Sequence, residues 1–194
     1  FIDVRSVGAE GTNVGFAAMN GWFFSITGEN LILYYITDWL SLIPVFIMLG
    51  FAILGLCQAI KRKSLLKVDS HLFALAGFYA LLLLAYVGFE IVEINFRPVL
   101  MEGELEASYP SSHTMLSIGI MSTAIFELRE LIKNKKAILI ITDIICCAVA
   151  LTVLLGRLLS GVHWLTDIIG SCFLSAGLFY IYKAVVLLNK NWSK

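Results

Sequence analysis

Residues 137–157 read AILIITDIICCAVALTVLLGR, from Ala137 to Arg157, with Asp143 the one charge before the terminal arginine. A helix rises 1.5 Å per residue, so about 20 apolar residues reach across ~30 Å of hydrocarbon. In that medium each backbone N–H and C=O must pair within its own segment, which makes this run a helix. Four further runs qualify: 31–60, 71–95, 112–130 and 163–188. Short polar or basic connections separate them. There is no repeat of 20–50 residues and no low-complexity tract. Residues 1–194 therefore read as one membrane-embedded domain, an all-α bundle with five visible spans.

Composition agrees with that reading. Hydrophobic residues make up 59% of the chain and charged residues 14%, against roughly 25% charged in soluble domains. Mean hydropathy is +0.88. Acids and bases balance to a net charge of zero, which argues against a nucleic-acid partner. The cysteines, Cys57, Cys146, Cys147 and Cys172, lie in apolar runs without metal-ligand spacing and read as small hydrophobes.

Orientation follows from the cations. Lys61, Arg62, Lys63 and Lys67 follow the first span. Arg129, Lys133, Lys135 and Lys136 follow the third, and Lys183, Lys190 and Lys194 end the fifth. If the spans alternate, all of these share one side, and Arg5, Arg97 and Arg157 share the other. The positive-inside rule places the larger group in the cytoplasm. The N-terminus, the 96–110 loop and the 158–162 turn are then extracytoplasmic, in a multi-pass protein of the cell membrane. Residues 13–28 are apolar but short and broken by glycines, and read as an interfacial or re-entrant segment on that outer side.

Charge near the bilayer is costly, about 2.5–3.5 kcal/mol on insertion scales, so retained charges mark candidate sites. Within Gly156-Arg157-Leu158-Leu159-Ser160-Gly161-Val162-His163-Trp164-Leu165-Thr166-Asp167, Ser160-Gly161 can end one helix. His163 then enters the first turn of the last span, with Asp167 one turn on. The carboxylate would accept the Nδ1–H of the imidazole and leave Nε2 free to attack. Arg157 offers a fork of donors to phosphate oxygens. In Tyr109-Pro110-Ser111-Ser112-His113, the helix start forms an anion site and His113 could protonate a leaving oxygen. Arg97-Pro98 closes the second span. Each element has a plain structural reading: a His–Asp helix pair, an ordinary cap, an interfacial arginine. Their meeting on one side of an independently fixed topology favours a metal-free phosphoryl-transfer site.

These residues resemble the motifs of the type 2 phosphatidic acid phosphatase superfamily: Lys-x6-Arg-Pro, Pro-Ser-Gly-His and Ser-Arg-x5-His-x3-Asp. They match at Arg97-Pro98, Pro110-Ser111-Ser112-His113 and Arg157-x5-His163-x3-Asp167. The resemblance implies that His163 is the nucleophile of a phosphohistidine intermediate, oriented by Asp167. It implies that His113 is the acid, that Arg97, Arg157 and the backbone of Ser111 and Ser112 hold phosphate, and that no metal or other cofactor is used. The family's usual six helices imply one more before Phe1. Three positions depart from the pattern. Glu90 stands where the lysine would be, Ser112 replaces the glycine, and Gly156 replaces the serine. Glu90 would repel phosphate unless neutralised, and is expected to orient Arg97 or Arg157, or to contact a headgroup.

The reading that results is a membrane hydrolase of a lipid phosphate monoester or pyrophosphate, of the isoprenoid pyrophosphate, phosphatidic acid or phosphatidylglycerophosphate type, acting at the outer face. Its alternatives are a lipid phosphotransferase and a non-catalytic lipid-binding or transport protein on the same scaffold. Glu102, Glu104 and Glu106 read as a solvated loop face and His71 as an interfacial residue, while Asp38, beside Trp39, reads either as lining the polar cavity or, more simply, as part of an aromatic belt.

Overall fold

The computed structural model describes residues 2–192; Phe1, Ser193 and Lys194 lie outside the described residues, as do the side chains of Lys190, Asn191 and Trp192. A two-residue hairpin, β1 (Arg5–Ser6) against β2 (Asn13–Val14), precedes seven helices. These are α1 (Ala17–Thr27), α2 (Leu31–Leu40), α3 (Leu42–Lys61), α4 (Ser70–Val92), α5 (Ser112–Leu131), α6 (Lys136–Leu159) and α7 (Leu165–Trp192). The segment read as interfacial forms α1, a helix of 11 residues with Trp22 and Ile26 exposed.

The first expected span is one apolar run but two helices. Pro44, at the third position of α3, has no N–H for the carbonyl of Leu40, so the ladder breaks at Ser41. Counted as one unit, Leu31–Lys61 joins Ser70–Val92, Lys136–Leu159 and Leu165–Asn189 as the four segments, among the described residues, long and apolar enough to cross a membrane. Their outward faces keep Phe46, Leu84, Ile144 and Phe173 exposed, an apolar surface suited to lipid tails. The chain is a multi-pass membrane protein.

The remaining expected span, α5, has a different character. It packs against α3, α4, α6 and α7, and buries Thr114, Ser117, Thr123 and Glu127 together with Met115, Ile120 and Met121. A helix shielded by its neighbours can carry polar groups that a lipid-facing helix could not, provided each finds a partner. Gly119 allows the approach of α4, because a Cβ there would stand 3.1 Å from Leu82 Cδ2.

Far from the α5 N-terminus, buried Glu127 accepts hydrogen bonds from Tyr182 of α7 and from His71 of α4, the latter at 2.5 Å. His71 is thus part of a link between three helices rather than a simple interfacial residue. Asp143 of α6 similarly holds Arg129 of α5 at 2.6 Å. Near the other end of α7, Asn20 of α1 donates to Thr166 Oγ1 (2.9 Å) and accepts from the Thr166 N–H (3.1 Å), which satisfies an amide that the helix start leaves unpaired.

Candidate active site

The turn between α6 and α7 sets the place of His163. Ser160 closes α6, and Gly161 follows with φ +68. A Cβ on Gly161 would lie 1.7 Å from the Gly28 carbonyl oxygen, so both the backbone conformation and the packing require glycine. The Asn30 N–H donates to the Ser160 carbonyl at 2.9 Å and fixes the turn against the start of α2.

His163 precedes α7 instead of sitting in its first turn, and this changes its partner. Its Nδ1 lies 3.8 Å from Asp167 Oδ2, beyond hydrogen-bond reach. Nδ1–H donates to the backbone carbonyl of Ser108 at 3.1 Å, while Ser108 Oγ–H donates to Asp167 Oδ2 at 2.5 Å. The expected imidazole–carboxylate pair is therefore bridged by a serine. Asp167 cannot close on the ring because Oδ2 also accepts the Trp164 N–H at 2.8 Å, the reciprocal half of a capping box, and Oδ1 accepts from Asn95 Nδ2 at 3.1 Å. The tautomer outcome is the expected one: Nδ1 carries the proton and Nε2 is free. Burial pushes the imidazole pKa down to about 4, with Asp167 opposing and the nearby Arg97 and Arg157 charges adding to the fall. A neutral ring is what a nucleophile needs.

Ser108 and Asn95 reach the site through the 93–111 connection, which is folded rather than loose. Glu93 ends α4 with φ 46, and Phe96 then pairs with Ala107. The Arg97 N–H donates to the Glu106 carbonyl (3.0 Å), and the Ser108 N–H to the Asn95 carbonyl (2.9 Å). Trp164, 2% exposed, donates its indole N–H to the Phe96 carbonyl at 2.8 Å and locks this ribbon onto the start of α7. Arg97 thus stands on the ribbon, beyond the end of α4.

Both arginines are buried and each is held by a carboxylate. Arg157, fully buried, binds Asp38 Oδ1 of α2 through Nη2 at 2.6 Å. Arg97 binds Glu106 Oε2 through Nη2 at 3.1 Å. Neither arginine takes Glu90 as its salt-bridge partner, so the orienting role expected of Glu90 falls to Asp38 and Glu106. Asp38 lines the site rather than an aromatic belt, while Glu106 keeps its place on the solvated loop face and reaches Arg97 from there. The ring of Tyr34, one turn before Asp38, lies 4.5 Å from the Arg157 guanidinium carbon and 5.9 Å from that of Arg97, within cation–π range. Asp38 Oδ1 also stands 3.1 Å from His113 Nε2.

At the start of α5, the Ser111 N–H donates to the Asp167 carbonyl at 3.4 Å, and its hydroxyl pairs with Thr114 Oγ1 at 3.0 Å. Ser111 is thereby committed to holding α5 against α7. The helix-start amides left for an anion are those of Ser112 and His113, ahead of the first intrahelical bond. Ser112 also lines a pocket of about 10 Å³ with Ser108, Tyr109, Pro110 and Glu90.

The remaining polar atoms have a common feature. Arg97 Nε and Nη1, Arg157 Nε and Nη1, His113 Nδ1 and His163 Nε2 are all buried without a hydrogen-bond partner. An unmade hydrogen bond at a buried polar atom costs about 1–3 kcal/mol, more at a charged group. Such atoms gathered around His163 describe a site for a polyanionic ligand. Sequence reasoning reached His163, Asp167, His113, Arg97 and Arg157. It missed Ser108, Asn95 and Glu106, whose places depend on the ribbon, and it preferred an aromatic-belt place for Asp38 over the cavity-lining one.

Comparison with known proteins agrees with the motifs. The fold resembles the crystal structure of a transmembrane PAP2 type phosphatidylglycerolphosphate phosphatase from Bacillus subtilis, with a TM-score of 0.62 and 22% identity over 87% of this chain and 84% of that one. No curated protein matches significantly. The model of the PAP2 superfamily matches residues 16–191, which takes in the ribbon, the α5 start and the α6–α7 turn. The chain belongs to the PAP2 superfamily.

Proposed function

We propose that this protein is a membrane phosphatase that hydrolyses a lipid phosphate or pyrophosphate through a phosphohistidine on His163. The observation that carries the reading is the set of unpartnered buried donors on Arg97, Arg157 and His113 around the free Nε2 of His163. Phosphoryl transfer needs positive charge over the equatorial oxygens, a nucleophile in line and a proton for the leaving oxygen. Arg97, Arg157 and the start of α5 supply the first, in the role a metal ion would otherwise have. His163 supplies the second and His113 the third.

In the first step His163 Nε2 forms a bond to phosphorus as the bond to the leaving oxygen breaks, and His113 gives that oxygen a proton. In the second, water passes a proton to His113 as its oxygen attacks phosphorus. The P–N bond breaks, releasing phosphate and restoring His163. Ser108 keeps the Nδ1–H in place throughout.

The lipid class follows from the setting: exposed apolar faces of α3, α4 and α7 lead to a site at one end of the bundle. Phosphatidylglycerophosphate, the substrate named for the similar Bacillus subtilis structure, belongs in the first panel, with phosphatidic acid and an isoprenoid pyrophosphate. The cation distribution favours an extracytoplasmic site. The test is phosphate release from this panel, with and without chelator, by the wild type and His163→Ala. The expected result is chelator-insensitive release by the wild type alone. Equal release by both proteins would overturn the proposal.

A further inference from the structure

We infer that Asp38 of α2 is a positioning residue for the reaction, holding His113 and Arg157 by the faces that the substrate does not use. The inference rests on the phosphatase reading above. One oxygen, Asp38 Oδ1, stands 2.6 Å from Arg157 Nη2 and 3.1 Å from His113 Nε2. The atoms of those two residues left without partners are the others: Nε and Nη1 of Arg157, and Nδ1 of His113. One carboxylate therefore divides each side chain into a held edge and an offered edge. With Nε2 set against the Asp38 carboxylate at 3.1 Å, the imidazolium of His113 has its transferable proton on Nδ1. That proton passes to the leaving oxygen as the P–O bond breaks, and the same nitrogen takes a proton from water in the second step. The other charged or titratable groups facing His113 are Arg157 of α6, Arg97 of the ribbon and the neutral His163 of the turn. Among the described residues, Asp38 is the one anion directly against it.

A departure from the family motif explains how Asp38 arrives there. Gly156 of α6 stands where the family has serine. A Cβ at Gly156 would lie 2.1 Å from Thr37 Cγ2 and 3.2 Å from Thr37 Cβ. Thr37 is fully buried and precedes Asp38, and its hydroxyl is tied to the carbonyls of Leu33 and Tyr34 within α2. The missing side chain at Gly156 thus lets α2 lie against α6 at the level of Arg157. This close approach delivers Asp38 to His113, and Tyr34 to both guanidiniums.

The experiment compares two esters in detergent micelles: dioctanoyl phosphatidic acid, whose alkoxide leaving group needs a proton, and p-nitrophenyl phosphate, whose phenolate does not. General acid catalysis is worth about 10²–10⁴-fold. Asp38→Asn is expected to lose at least about tenfold more kcat on phosphatidic acid than on p-nitrophenyl phosphate. Gly156→Ala is expected to show the same imbalance. Adding Thr37→Ser, which removes the clashing methyl, should restore kcat in the Gly156→Ala background. Equal losses on both esters, or no rescue by Thr37→Ser, would overturn the role of Asp38 while leaving the phosphatase reading intact. A wild type inactive on both esters would overturn both.

Discussion

His163 Nδ1 and Asp167 Oδ2 lie 3.8 Å apart, and Ser108 fills the gap by accepting from the ring with its carbonyl and donating to the carboxylate with its hydroxyl. The imidazole of His163 is oriented by a relay in which the carboxylate acts one residue removed. Its consequences can be measured.

Removing the relay hydroxyl leaves Asp167 Oδ2 with one partner fewer and loosens the ribbon carbonyl that holds the ring. Ser108→Ala is expected to lower kcat by roughly 5- to 150-fold, the equivalent of about 1–3 kcal/mol for a buried hydrogen bond. KM should change little, because Ser108 does not face the phosphate. Steady-state kinetics on a purified lipid phosphate checks the split. A KM effect larger than the kcat effect would count against the relay.

The neutral state of His163 gives stability a pH dependence with a definite sign. The unfolded chain binds a proton as pH falls through about 6.5, while the folded state resists until about 4. The contribution of His163 is therefore fully present above pH 6.5 and is lost between 6.5 and 4, at up to about 1.4 kcal/mol per pH unit. Thermal unfolding in micelles from pH 7 to 4 should steepen in the wild type relative to His163→Gln. Parallel curves for the two proteins would contradict the assignment.

Arg97 has Nη2 on Glu106 and leaves Nε and Nη1 without a partner, the donors that the proposed reading assigns to phosphate. An ammonium is a point charge and cannot reproduce that fork. Arg97→Lys is expected to lower kcat/KM by about tenfold or more, equivalent to about 1.4 kcal/mol of transition-state stabilisation. Wild-type kinetics in the lysine variant would remove Arg97 from the phosphate site.

Gly161→Ala places a side chain on a left-handed backbone and against the Gly28 carbonyl. Backbone strain alone costs about 1–3 kcal/mol. The midpoint of thermal unfolding should fall by at least several degrees, and activity should fall with it because His163 is two residues away. Retention of both would show that the turn tolerates a Cβ.

The link of Glu127 to His71 and Tyr182 is structural. Glu127 lies fourteen residues beyond His113 on α5, about 21 Å along the axis. Tyr182→Phe leaves an acceptor of Glu127 without its donor, and should cost about 1–3 kcal/mol of stability with kcat unchanged. Unfolding and activity measured on the same preparation separate the two effects.

Much of this was legible from local signals. The spans follow from apolar runs, because hydrocarbon permits few alternatives to a helix. The break at Ser41 was not apparent in the run of residues 31–60, although Pro44 carried its cause. Of the site, the spacing from Arg157 through His163 to Asp167 was readable because one turn and one helix start fix it. Asp38 was ambiguous: beside Trp39 at a span end it has the pattern of an interfacial residue as much as of a cavity-lining one, and only the packing of α2 on α6 turns it to Arg157. Glu106 was hidden in the same way by the acidic loop around it.

The sequence by itself determined the helical membrane bundle, the PAP2 motifs and the histidines, since hydrophobic length and short-range spacing are properties of the chain. The tertiary structure alone decided who holds those groups. Ser108, Asn95 and Glu106 reach the site through a folded ribbon, and Asp38 through a close approach of α2 to α6 that a Cβ at Gly156 would block. The physical reason is that a buried charge must find an opposite charge or a dipole wherever packing brings one, and packing joins residues whose separation along the chain carries no signal.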